Sequence, residues 1–413
     1  MMQPMPLFKG RWLITSAVLF VLIATTGLCG SNTNDSTPSS QDIAEAMRPV
    51  PPEVSKSMEA LCSFATDSGT PFSPVLVKPL VDFVRNACAT DSGWELAKRD
   101  GAAGSAYIVK VKVPLTQYLS LNFHPGIPDY AVFPTALRYT SSLNTNEMQH
   151  AYACIEAGPS GTLEYVTARM TGIEEITPNP ESGCYFSYTN ARVFVRGKID
   201  EHDVLFSCAG TLGPSTFSHR GVPVGPLPQA LFYYSEKPGL NLTGMTWMLS
   251  QIRCSTTVSL YIALNSNETA VATFAWLNAG WKGLNVTRAP HILNTQVTTL
   301  DYSRRLAQHP AVNAARLAAL VESVEAMSAA DVDIDYGRYL SYVRMWRDTK
   351  QKPSCYSSLL KNLYDEKAAE TIPLSHRRAL LVQERVRSLM GVPTWSSLAA
   401  PGAVAVNHQP YTP

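Results

Sequence analysis

Between Ala106 and about Leu300 apolar residues recur at every second position, in short runs broken by turn residues. Tyr107, Val109, Val111 and Val113 alternate with Ile108, Lys110 and Lys112, the pattern of a strand with one buried and one wet face. Similar runs stand at Tyr130–Thr140, Met148–Ala157, Leu163–Met170, Cys184–Val195, Val204–Ala209, Leu231–Ser235, Val258–Leu264 and Val271–Leu277. Gly- and Pro-rich stretches separate them, and this punctuation predicts an antiparallel, sandwich-like β domain. Asn265–Glu268 reads as a hairpin tip. Within the last run Phe274 and Trp276 share one face, and Val271, Thr273, Ala275 and Leu277 lie on the other. A strand apolar on both faces is central or covered.

Helical spacing flanks this region. Pro52–Ala65 sets Met58, Leu61, Cys62 and Ala65 on one stripe, and Pro79–Cys88 does the same with Leu80, Phe83, Val84 and Ala87. Pro79 is expected at a helix start, because an interior proline breaks a turn. Beyond Leu300, Pro310 opens a helix carrying Leu317, Leu320, Val321, Val324 and Met327. Ser328 and Asp331 cap the next, on which Tyr336, Leu340 and Val343 share a face. Tyr356–Tyr364 is a shorter candidate, and Pro373–Met390 is bounded by Gly391 and Pro393. The expected class is α+β: a β-sandwich-like centre between a small N-terminal helical hairpin and a C-terminal helical region. The expected segments are a signal peptide (1–27), a flexible leader (28–50), an N-terminal helical segment (51–100), a β-rich domain (101–300), a C-terminal helical region (301–395) and a tail (396–413).

The first segment sets the compartment. Lys9 and Arg11 precede the apolar run Trp12–Ala24, and Thr25, Thr26 and Gly27 follow. Charged, apolar and small-residue regions in that order make a secretory signal, cut after Gly27 or Gly30; the alternative is an uncleaved anchor. No later segment reads as a membrane span. Export makes disulfides the default for Cys62, Cys88, Cys154, Cys184, Cys208, Cys254 and Cys355, with a Cys62–Cys88 bridge stapling the helical hairpin. Asn-x-Ser/Thr sequons stand at Asn34, Asn241, Asn267 and Asn285. Sugars need exposed turns, so the sequons at Asn267 and Asn285 bracket a strand at its two exposed ends.

Composition removes some function classes. Of the 413 residues, 45% are apolar and 16% charged, with net charge +1, so no overall basic field points to nucleic acid. No GxSxG, HExxH, Walker or GxGxxG pattern occurs. No cysteines are paired at zinc spacing. Asp331, Asp333 and Asp335 begin like a calcium loop, but Tyr336 and Tyr342 stand where that loop needs Gly and Glu. No cofactor or metal is expected. The expected function is therefore that of a secreted or virion-surface glycoprotein that binds a protein ligand or receptor. Two competing readings are an extracellular hydrolase with a dispersed site and a structural subunit of a larger complex. Tyr233 and Trp281 are candidate aromatic anchors. Arg377, Arg378 and Arg385, with His376, Arg387, Arg304 and Arg305, are a candidate basic patch for a sulfated glycan or an acidic partner.

Overall fold

A computed structural model of the chain describes residues 42–43, 46–67, 69–159, 164–178, 182–225, 231–241, 247–348 and 355–395. The signal, most of the leader, Cys29, Asn34, the side chain of Cys355 and the tail from 396 lie outside these residues. The fold is α+β. After a two-residue strand β1 (Arg48–Pro49) come helices α1 (Pro52–Thr66) and α2 (Pro74–Ala87), then strands β2 (Ser92–Arg99) and β3 (Ala102–Val111). Helices α3 (Leu115–Asn122) and α4 (Asp129–Val132), strand β4 (Leu137–Ser142) and helix α5 (Thr145–Ala157) follow. Strands β5 (Tyr165–Ile176), β6 (Cys184–Tyr185), β7 (Ser187–Ile199), β8 (His202–Thr211), β9 (His219–Val224), β10 (Leu231–Pro238), β11 (Gln251–Asn265) and β12 (Glu268–Gly280) complete the β region. The chain then turns helical, with α6 (Ala289–Gln308), α7 (Ala314–Glu325), α8 (Ala329–Asp348), α9 (Cys355–Leu363), α10 (Glu366–Glu370) and α11 (Leu374–Leu389).

Nine strands form one open sheet in the order β1-β2-β3-β12-β11-β8-β7-β5-β4, antiparallel except for the β1–β2 pair. A second sheet has the order β10-β9-β6. Both faces of the large sheet are covered. Met58, Leu61, Leu80 and Val84 of α1 and α2 pack on Ile108, Phe206, Leu260 and Phe274. Tyr107, Val109, Leu205 and Val271 point the other way, into a core shared with α6, the small sheet and the C-terminal helices. Alternation along β3 thus sorts residues between two cores, not between core and water. Only Lys110 and Lys112, near its end, are wetter. The expected burial of β12 is found: Trp276 is buried and its indole N–H donates to Ala97 O at 2.9 Å. Trp276 pairs in register with Gly104, where a methyl group would overlap the indole.

Several segments differ from the sequence expectation, among them Ala289–Leu300, which opens a helix inside the region expected as strands, and the helix expected from Pro310, which starts at Ala314. Residues 148–157 are helical, because the Asn144 side chain accepts from Asn146 N and Glu147 N and caps α5. Ala151, Tyr152 and Ile155 are its buried face. Residues 130–140 divide into α4 and β4 around Pro134. Pro79 lies inside α2, which starts at Pro74. The backbone bond it forgoes would have reached Val75, a residue 80% exposed whose surroundings admit water, and the buried face of Val77, Leu80, Val81 and Val84 holds the helix. The hairpin at 265–268, the cap of Ser328 with Asp331, and the helix ending before Gly391 are found as expected. Among the described residues no helix is long and apolar enough to cross a membrane.

Candidate functional site

The end of β12 and the start of β11 lie at one end of the large sheet's central strands, because Gly280 pairs with Gln251. Strand β8, whose Gly210 pairs with Thr256, stops roughly 13 Å short of that end at the usual rise per residue, and segment 212–218 carries the chain on toward it. Segment 212–218 is laced to this end. Ser215 N donates to Ile252 O, Ser218 N to Ser250 O, and Leu212 N to Thr189 O. Segment 281–288 is closed by Leu284 N on Trp281 O and Val286 N on Ala279 O. These two segments and residues 247–250, which lead into β11, present large apolar side chains to water. Leu212 is 62% exposed, Phe217 54%, Trp247 68% and Leu284 60%, with Leu249 and Val286 beside them in the loops. These are six of the ten exposed large apolar side chains among the described residues, so the exposure is concentrated and not scattered. Beneath them Cys184, Phe186, Leu240 and Ile252 form a small buried cluster, against which Met248 and Trp281 pack. Lys282 and Arg288 are the charged residues within 281–288.

The candidates read from the sequence fall unevenly around this end. Trp281 belongs to it, half-buried at the start of segment 281–288 and packed on the small cluster beneath. Tyr233 does not: it is 2% exposed, and its hydroxyl donates to Asp365 O and accepts from Asp365 N. Strand β10 is covered on both sides. Tyr339 donates to Phe232 O at 2.6 Å, and the Arg138 guanidinium lies 4.2 Å from the Tyr234 ring. The C-terminal arginines are already partnered. Arg377 pairs with Asp333, and Arg378 with Glu325 at 3.4 Å and Met327 O at 2.9 Å. Arg385 donates to Ser323 Oγ and lies 3.7 Å from Asp335. Arg304 is held by Asp91 and Asp301. Charge on that face is balanced locally instead of being presented to a polyanion, and Asp331, Asp333 and Asp335 are occupied in the same cap and ion pairs.

Cys62, Cys88, Cys154, Cys184, Cys208 and Cys254 are free thiols, so the Cys62–Cys88 staple is not formed. Cys62 is buried on the sheet-facing side of α1, whereas Cys88 Sγ donates to Arg85 O at 3.1 Å. Burial pushes the Cys184 thiol up to about 11 and raises Cys62 and Cys208 as well, which leaves them protonated and unreactive. The sequons also separate. Asn267 is exposed at the hairpin tip, while Asn241 donates to Gly221 O at 2.6 Å and Asn285 to Gly101 O at 2.8 Å.

A second polar constellation lies where α11 meets β4 and β5. Glu175 Oε2 stands 3.0 Å from His376 Nε2 and 3.2 Å from Arg138 Nε. The His376 ring stacks on Tyr139 at 4.3 Å, and Ser375 Oγ lies 3.4 Å from His376 Nδ1. Hydroxyl, imidazole and carboxylate are thus in contact, as a hydrolase requires. The geometry is nevertheless that of a clasp. Ser375 is an exposed neighbour of His376 on the first turn of α11, and the carboxylate is shared with Arg138. Burial pushes the Glu175 carboxyl up, but the His376 hydrogen bond and the Arg138 charge outweigh it and hold it below its ordinary value.

No family model matches the chain, and no curated protein matches it. Solved structures align with it weakly, two of them as follows. The Zhui aromatase/cyclase from Streptomyces is 11% identical over 50% of this chain and 94% of its own, with a TM-score of 0.23. The human StarD13 lipid transfer and protein localization domain is 8% identical over 57% of this chain and 94% of its own, also at 0.23. Likeness at that level transfers neither fold nor activity. The apolar end therefore stands on its own geometry. Sequence reasoning missed Phe217, Trp247 and Leu284, although a signal was there: each lies in a Gly- or Ser-containing stretch between regular elements, where a loop is ordinarily polar.

Proposed function

We propose that this chain is an exported glycoprotein that binds another protein through loops 212–218, 247–250 and 281–288, and that it catalyses no reaction. The observation carrying the proposal is the concentration of Leu212, Phe217, Trp247 and Leu284, all more than half exposed, at one end of a sheet buried on both faces. Rigid scaffolds commonly present recognition residues on loops, and aromatic anchors supply much of the energy of protein interfaces. The apolar N-terminal run and the sequons support export.

The test compares the full chain with a Phe217→Ser/Trp247→Ser variant. Both are used for cross-linking capture in the native extracellular medium and for sedimentation with anionic phospholipid vesicles. The expected result is a protein captured by the parent chain and lost roughly tenfold or more in the variant, the scale of hot-spot residues, with the melting temperature unchanged. Equal capture by both chains overturns the docking end. Trp247-dependent sedimentation with vesicles, without protein capture, overturns the protein partner in favour of a lipid surface.

A further inference from the structure

We infer that an exported chain carries carbohydrate at Asn267 and not at Asn241 or Asn285, so that its sugared end and its docking end are opposite. The inference rests on the export reading above. N-glycosylation breaks an Nδ2–H bond of the asparagine amide and forms an Nδ2–C bond to the anomeric carbon of a lipid-pyrophosphate-linked oligosaccharide. The lipid pyrophosphate leaves with the bonding pair, and the proton passes to solvent. The product must then fold with a bulky group on Nδ2, so the native surroundings of each amide decide which modified chains are compatible with the fold.

At Asn241 those surroundings are backbone. Nδ2 donates to Gly221 O at 2.6 Å, and Gly183, at φ +57°, lies so close that even a methyl group there would overlap the amide. A sugar on Nδ2 has no room between these two glycines. At Asn285 the amide is the brace of its loop. Oδ1 accepts from Ala279 N at 3.2 Å and Thr287 N at 3.0 Å, while Nδ2 donates to Gly101 O at 2.8 Å, tying 281–288 to the β2–β3 turn. Asn267 has neither constraint. The turn at 265–268 is braced by its neighbours: Asn265 Oδ1 accepts from the Asn267 backbone, and Asn265 Nδ2 donates to Glu268 Oε2 at 2.9 Å. The Asn267 side chain is left exposed at the tip. That tip is the β11–β12 connection, and loops 247–250 and 281–288 are the other ends of the same two strands.

The test is glycopeptide mass spectrometry of the full chain secreted from a eukaryotic cell line, with Asn267→Gln and Asn285→Gln alongside. Expected are a glycan on the Asn267 peptide and unmodified Asn241 and Asn285 peptides. Asn267→Gln removes that glycan with no change in melting temperature, whereas Asn285→Gln removes no glycan and lowers it. A glycan on Asn241 or Asn285 in folded secreted protein overturns the inference, as does a bare Asn267. Retention of the chain in the cytosol overturns export instead. The same chain behind a borrowed secretion signal then decides the sites by the same peptides.

Discussion

Arg192 stands in the middle of β7 with both of its charge partners out of water. It lies 3.0 Å from Asp129 of α4 and 2.8 Å from Glu174 of β5, and Glu174 also accepts from Tyr188 at 2.7 Å and Asn190 at 2.5 Å. Burial lowers the basicity of the guanidinium, but the two carboxylates more than restore it. A network of this kind adds little net stability over an apolar packing of the same shape, yet is costly to break from one side. Arg192→Met, which leaves two buried carboxylates facing each other, is expected to cost roughly 3–5 kcal/mol. Denaturant unfolding reads the loss, and a change near zero would mean that water reaches both acids. None of this was legible in the sequence. Asp129 lay in a turn-like stretch, Arg192 in a strand, and they are 63 positions apart.

At the scale of elements, the contact of α11 with β5 makes a prediction about acid. Glu175 titrates below its ordinary value in the folded protein. A depressed carboxyl stabilises the fold fully above its unfolded value, and that contribution is lost as pH falls through the folded one. Glu175→Gln is therefore expected to melt lower than the parent at about pH 7 and to converge with it toward about pH 3, below the carboxylate range. Melting curves across that range check it, and a gap that persists in acid would mean that the hydrogen bonds matter and the charge does not. Elements were the most legible level. Period-two runs located β3, β7, β8, β11 and β12, and caps located α8 and α11, because these signals are local. Helix α5 reads as a strand although Asn144 and Glu147 sit at capping spacing, since its apolar residues also fit a short strand. Helix α6 begins at Ala289, inside what alternation had assigned to strands.

On the scale of the whole molecule, the C-terminal helices complete a core that the sheet begins. Gln383 donates to Tyr130 O and Leu137 O, Tyr339 to Phe232 O, and Leu317, Val343 and Leu381 share one apolar cluster with Val109, Leu205 and Val271. A chain ending after Gln308 exposes that cluster. It is expected to lose its cooperative melt and to aggregate, and a soluble monomer with native near-ultraviolet dichroism would contradict this. The apolar end belongs to the same scale, which is why sequence left it dark: only strand register brings the segments carrying Phe217, Trp247 and Leu284 to one end of the sheet. Register also has a practical use. Strands β11 and β12, of 15 and 13 residues, run the length of the sheet, about 40 Å at the usual rise per residue. A fluorophore or surface tether placed at residue 267 sits at the handle of a rod, free to report on events at the opposite tip without standing in their way.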